Sequence, residues 1–198
     1  MTREARVERA TAETTIRVRL DLDGTGLGRI ETGIGFFDHM LDQLARHSLV
    51  DLDVEARGDL VIDEHHTVED TGILIGRALD QALGDRAGIR RYGDARIPMD
   101  EALAACAVDL GGRAYSVIAP RPDPLAGASP WLELLPHFLE SVAREARMTL
   151  HLEATGAASV HHHVEAAMKA FARALRGAIE IDPRLAPTEV PSTKGRIG

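Results

Sequence analysis

HMLDQLARHSLVDLDVEARG, residues 39–58, and HFLESVAREARMTLHLEATG, residues 137–156, are one segment written twice. At an offset of 98 they share His39/His137, Leu41/Leu139, Ala45/Ala143, Arg46/Arg144, Leu52/Leu150, Glu55/Glu153, Ala56/Ala154 and Gly58/Gly156, eight identities in twenty positions. A two-residue deletion moves the offset to 96 and lays His65-His66-Thr67-Val68-Glu69 on His161-His162-His163-Val164-Glu165. Upstream, Leu20-Asp21-Leu22-Asp23-Gly24 matches Val108-Asp109-Leu110-Gly111-Gly112, so each half is expected to open on a strand ending in a glycine-containing turn. A period of about 95 residues is too long for a solenoid repeat and too short for two ordinary independent domains. It predicts one pseudo-symmetric domain: a first half over residues 6–93, a second over 94–186, and a C-terminal segment over 187–198.

Periodicity fills in this frame. Residues 14–22 alternate Ile16, Val18, Leu20 and Leu22, a strand pattern, and residues 49–56 alternate again through Leu52 and Val54. Residues 37–47 place Phe37, Met40, Leu41 and Leu44 at helical spacing. A second helix runs over residues 68–83 through Ile73, Leu74, Leu79 and Leu83, with Gly84 as its stop. The second half repeats that helix over residues 164–179 through Met168, Phe171, Ala172 and Leu175. The two helices of each half are expected to pack together under strands, an α+β arrangement.

Composition narrows the function classes. The 198 residues, 44% hydrophobic, suffice for one good core or two small fused ones. A formal charge of -8 excludes a broad nucleic-acid-binding face, which needs a net basic surface, and leaves room for a small basic pocket. No long apolar run is present and the first ten residues carry Arg3, Arg6 and Arg9 among acids, so a soluble, cytoplasmic chain with no membrane partner is expected. Cys106 is the single cysteine, which rules out an intrachain disulfide and suits a reducing cytosol.

The repeated histidines carry the chemistry. Residues four apart on a helix share a face, so His65 with Glu69 and His161 with Glu165 each present an imidazole beside a carboxylate, a spacing that can chelate one ion. His66 and His162 point about 100° away around the helix and cannot easily serve the same ion, which implies two metal centres. His39 and His137 bring the set to six histidines and two glutamates, simply divided as three imidazoles and one carboxylate per ion. Such N/O sites suit several divalent metals, and spacing does not choose among them. A lone surface histidine is usually solvated decoration; eight potential ligands repeated in register are not. His151 and His163 lack partners in the first half and are expected to be structural or solvated.

Three stretches resemble the imidazoleglycerol-phosphate dehydratase family: Thr32-Gly33-Ile34-Gly35-Phe36-Phe37-Asp38-His39-Met40-Leu41, Asp63-Glu64-His65-His66-Thr67-Val68-Glu69-Asp70, and Pro191-Ser192-Thr193-Lys194-Gly195. The likeness runs from about Arg6 to Gly195, through Gly88-Ile89-Arg90-Arg91-Tyr92-Gly93, Met99-Asp100-Glu101 and Asp109-Leu110-Gly111-Gly112-Arg113. It implies paired helices sandwiched between two four-stranded sheets, the ribosomal protein S5 domain 2-like architecture, and two manganese ions per active site. It implies the ligands His39, His65, His66, Glu69, His137, His161, His162 and Glu165, the set the duplication selects. It also implies trimers that assemble into a 24-subunit shell, with metal sites completed at subunit contacts. The chain departs from the family pattern at Glu64, where aspartate is expected, at Gly111 in place of serine, and at Ala158-Ser159-Val160 in place of an Asn-rich turn.

The reaction implied is the dehydration of D-erythro-imidazoleglycerol phosphate to imidazole-acetol phosphate in histidine biosynthesis. Two metals on the ring nitrogens would stabilise an imidazolate, whose electrons expel the neighbouring hydroxyl through a diazafulvene-like intermediate. Glu13 resembles the family's non-ligand active-site glutamate and is the first choice to move the proton, with Glu165 the alternative. Gln43 and His47 resemble substrate-contacting positions, and Arg91, Arg113, Ser192, Thr193 and Lys194 match the family's phosphate contacts. Two rivals remain: a dinuclear phosphate hydrolase, which would lean on bridging carboxylates, and a non-catalytic metal-binding shell, which would have no use for a phosphate cluster.

Overall fold

The computed structural model describes residues 2–119, 129–156 and 159–197. Ala158, in the turn that departs from the family pattern, lies outside them. Two sheets carry the fold. The first contains β1 (Glu4–Ala10), β2 (Thr14–Asp21), β3 (Gly28–Glu31) and β4 (Asp51–Gly58), in the order β1-β2-β4-β3. The second contains β5 (Tyr92–Met99), β6 (Ala102–Asp109), β7 (Tyr115–Ala119) and β8 (Thr149–Thr155), in the order β5-β6-β8-β7. In each sheet the third strand runs parallel to its neighbour and the other pairings are antiparallel. The strands read at Thr14 and before Gly111 are therefore the second of each half: β1 and β5 precede them.

Alternation explains why these segments are strands. In register, Ile16 faces Ala56, Val18 faces Val54 and Leu20 faces Leu52. Ala104, Cys106 and Val108 likewise face Ala154, Leu152 and Leu150. All of these side chains are buried, while Arg17 and Glu55, one residue off, point to solvent. Burial pushes the Cys106 thiol up to about 12, so it stays a neutral core group.

Four helices fill the space between the sheets: α1 (Gly35–Ser48), α2 (His65–Leu83), α3 (Trp131–Glu145) and α4 (Val160–Ile179). Gly84 closes α2, its N–H donating to Asp80 and Gln81 carbonyls. α2 lies on β1, β2 and β4, and α4 lies on β5, β6 and β8. The helices do not pair within each half as expected. α2 packs on α3 and α1 on α4, so each pair crosses the repeat. Gly72 and Gly76 make the first crossing close: a Cβ there would sit 2.8 Å from the Phe138 carbonyl and 2.7 Å from the Val142 carbonyl. Phe37 of α1 meets Phe138 of α3 edge-on at 5.3 Å, and one continuous cluster of buried apolar residues runs through both halves. The buried Arg86 guanidinium ties the end of α2 to the end of α3, donating to Asp80 at 2.5 Å and to the Ala146 carbonyl at 2.9 Å.

Candidate active site

The cross-half helix pairing builds the site. On α1, the Asp38 carboxylate accepts from the Thr32 N–H at 2.9 Å and the Thr32 hydroxyl at 2.5 Å, which fixes the first turn and aims His39 at α4. There Glu165 Oε2 stands 3.2 Å from His39 Nε2 and 2.8 Å from His161 Nε2. The two imidazoles lie near-parallel with centroids 5.9 Å apart. The other Glu165 oxygen accepts from Lys169 at 2.6 Å. Burial works upward on Glu165, and hydrogen bonds from Lys169 and His39 outweigh it, so its carboxyl titrates below the ordinary range.

The second grouping is the pseudo-symmetric copy on α2 and α3. Glu69 lies 3.8 Å from His65 Nε2 and 3.4 Å from His137 Nε2, with the two rings 4.6 Å apart. Ile73 occupies the position that Lys169 holds in the first grouping. His137 Nε2 is buried and makes no hydrogen bond; its approach to Glu69 lacks the directionality of one. A buried ring nitrogen without a hydrogen bond calls for a partner. In each grouping the two imidazoles and the carboxylate offer atoms within 4.8 Å of one another, a donor set that fits a divalent transition-metal ion. Each holds two histidines where three are expected.

His66 and His162 turn away from these groupings, as the helical angle requires. Asp59 takes His66 Nδ1, with its oxygens at 3.1 and 3.3 Å, and Glu101 takes His162 Nδ1 at 2.8 Å. An ionised carboxylate only accepts, so each ring carries a proton on Nδ1, and in its neutral form the lone pair is on Nε2. The hydrogen bond that His66 donates to Asp59 raises the His66 pKa, and the one that His162 donates to Glu101 raises that of His162. The Glu101 carboxyl is held at about 2, first by His162 and further by backbone N–H groups. Glu13 stands 3.9 Å from His66 Nδ1, and its side chain is 57% exposed. Gln43 and His47 meet each other on α1 at 3.1 Å, and burial together with Lys169 and Arg173 lowers the His47 pKa. His163 is half-buried with Nδ1 unpartnered, and His151 is exposed on β8.

A basic basin of about 540 Å³ gathers Arg91, Gly111, Arg113, Ser192, Thr193 and Lys194, all but the glycine expected as phosphate contacts, with Arg196 added. Asp109 fixes the Arg91 guanidinium through bonds of 2.7 and 3.1 Å, and Arg91 also donates to the Pro191 carbonyl at 2.9 Å. The C-terminal segment is thereby tied to the head of β5. The Arg91 N–H bonds the Ala178 carbonyl at the C-terminal end of α4, whereas His161 and Glu165 lie in its first two turns. At about 1.5 Å per residue, the basin and the His39 grouping of one chain are roughly 20–25 Å apart.

Sequence reasoning assigned no role to Asp59, Glu101, Lys169 or Arg196. Lys169 had a signal, its i+4 spacing from Glu165. Glu101 had another: it precedes β6 as Glu13 precedes β2, at an offset of 88.

Comparison with known proteins agrees with this layout. The family model for imidazoleglycerol-phosphate dehydratase matches residues 32–175. The chain is 53% identical over 196 residues to the imidazoleglycerol-phosphate dehydratase of Cereibacter sphaeroides, covering 98% of this chain and 100% of that one. It is 52% identical over 195 residues to that of Methanoculleus marisnigri, again covering 98% and 100%. The crystal structure of the Staphylococcus aureus enzyme aligns with a TM-score of 0.78 at 35% identity, over 90% of this chain and 99% of that one. The Pyrococcus furiosus enzyme, solved in complex with (S)-C348, aligns with a TM-score of 0.79 at 35% identity, over 96% and 100%. Fold, repeated histidine and glutamate pattern and these matches agree, and the chain belongs to the imidazoleglycerol-phosphate dehydratase family, hydro-lyases of histidine biosynthesis.

Proposed function

We propose that the chain dehydrates D-erythro-imidazoleglycerol phosphate to imidazole-acetol phosphate with two manganese ions per active site. His39, His161 and Glu165 form one centre, and His65, Glu69 and His137 the other; His66 and His162 complete such centres at contacts between copies. Manganese held by these residues would supply Lewis acidity toward the imidazole ring of the substrate. Glu13 moves the proton of the side chain as general base and acid; Asp59 occupies the nearest imidazole nitrogen and leaves the Glu13 carboxylate free. Gln43 and His47 orient the substrate. Arg113, Ser192, Thr193 and Lys194 take its phosphate against the wall formed by Arg91.

The observation that carries this reading is the separation along α4. A three-carbon phosphate chain on an imidazole is far too short to reach from the His39 grouping to the basin of the same chain, which favours a substrate held between copies. That supports assembly into trimers and a 24-subunit shell. The β4–α2 connection, beside His65 and His66, points the same way: Val61 is 99% and Ile62 71% exposed, an apolar loop that suits a subunit contact. No helix among the described residues is long and apolar enough to cross a membrane, which fits a cytoplasmic enzyme.

The test is turnover of imidazoleglycerol phosphate by metal-stripped protein before and after manganese is restored, with particle mass measured in parallel. Manganese-dependent formation of imidazole-acetol phosphate in a large assembly is expected. Release of inorganic phosphate, or no turnover with any divalent ion, overturns the proposal.

A further inference from the structure

Each half carries a glutamate in the turn before its second strand: Glu13 before β2 and Glu101 before β6. The two are equivalent by the repeat and do different things. Glu101 is clamped at both oxygens. Oε2 accepts from His162 Nδ1 at 2.8 Å, and Oε1 accepts from the Ser159 N–H at 2.8 Å, while Ser159 Oγ caps α4 through the His162 N–H at 3.4 Å. The turn itself is held against the β8–α4 connection, where a Cβ on Gly156 would lie 2.1 Å from the Glu101 carbonyl. In the first half the oxygens around the matching imidazole come from Asp59, and Glu13 is left outside hydrogen-bond range.

We infer that Glu101 is a positioning residue for the metal centre: it locks the His162 ring with Nδ1 protonated and Nε2 presented outward. Asp59 does the same for His66. The inference rests on the proposal that His162 is a manganese ligand, and it accounts for a regularity among all six histidines. His39, His65, His137 and His161 turn Nε2 toward the two glutamates, and the two carboxylates at Nδ1 give His66 and His162 the same polarity. A carboxylate on the distal nitrogen fixes the tautomer and makes the imidazole a better donor. Asp100, 78% exposed, lies 3.6 Å from His162 Nε2 on the open side and lacks the clamp that holds Glu101.

Manganese titration of metal-free protein, read by the electron paramagnetic resonance of the free ion, tests this. E101A is expected to weaken manganese binding roughly 10- to 100-fold with the number of ions unchanged. E101Q keeps an oxygen that accepts the Nδ1 proton and is expected to lose less, and turnover by both variants should return at saturating manganese. H162A is the reference. If H162A binds manganese as tightly as the unaltered chain, the ligand assignment fails. If H162A is impaired and E101A is not, the positioning role fails. If E101A loses one ion outright with the others unaffected, Asp100, Glu101 and His162 form a metal site of their own and the positioning role is wrong. Should E101A fail to fold, equal affinity of E101Q and the unaltered chain, with no manganese needed to restore turnover, overturns the inference.

Discussion

The two halves share a backbone frame and matched histidines and glutamates, yet hold those side chains by different means. In the second half Glu165 is buried, with contacts of 2.6 to 3.2 Å to Lys169, His161 and His39. In the first, Glu69 is 30% exposed, its contacts are 3.4 and 3.8 Å, and an isoleucine stands where the lysine would be. Glu101 is captured by an imidazole and Glu13 is not. The repeat matches positions, while the neighbours differ: Glu101 is a fixed support and Glu13 lies outside hydrogen-bond range of His66.

The largest expected effect separates Glu13 from Glu101. On the proposed assignment E13Q removes the general base and spares the metal ligands, so kcat should fall by roughly 10²- to 10⁴-fold while manganese affinity holds. E101Q should do the reverse, with kcat near normal once manganese is saturating. A matched loss of kcat in both variants would erase the distinction. Next in size is the contrast between the two ligand carboxylates in metal-free protein. E165A strands the Lys169 ammonium in a mostly buried setting and should cost about 3 kcal/mol in chemical unfolding. E69A removes looser, partly exposed contacts and should cost less than about 1 kcal/mol. Both should abolish one manganese centre, so equal stability losses would contradict the asymmetry without touching the ligand assignment.

How far all this was legible from residues alone follows from where each signal resides. The helices and inner strands were readable because Ile16, Val18, Leu20, Leu52 and Val54 alternate into one core, and helical spacing placed His65 beside Glu69 and His161 beside Glu165, to which the folded chain brings His137 and His39. The edge strands carry a weaker stripe, of small or only partly buried residues such as Ala95, Ile97 and Met99. β5 has no buried residue, β1 has only Ala5, and β3 is four residues long. Pairing with an inner neighbour makes them strands, and a half-exposed stripe this faint is a poor signal of it. Helix pairing across the repeat was missed for a similar reason: apolar faces announce burial and leave the partner open. Asp59 and Glu101 sit in turns with no fixed spacing to the histidines they hold, so only the folded chain brings them together.

The smallest contrast lies at the parallel strands. Asp51 Oδ1 accepts from the Thr25 N–H at 2.7 Å and the Leu27 N–H at 2.9 Å, tying the β2–β3 connection to β4. Thr149 is its counterpart in the second half and offers one weak bond, at 3.5 Å to the Arg113 carbonyl. Burial works upward on the Asp51 carboxyl, and the backbone N–H groups outweigh it, so its pKa lies below the ordinary carboxylate value. A carboxyl depressed by folding adds stability above its unfolded pKa and loses it as pH falls through the folded one. Acid should therefore loosen β3 before β7. Amide exchange at Leu27, read against Tyr115, whose N–H bonds the Met148 carbonyl, should accelerate first as pH drops below the ordinary carboxylate range. D51A should remove that difference and cost about 1 kcal/mol. Equal acid sensitivity of the two amides would mean that the turn, rather than the charge, holds β3 in place.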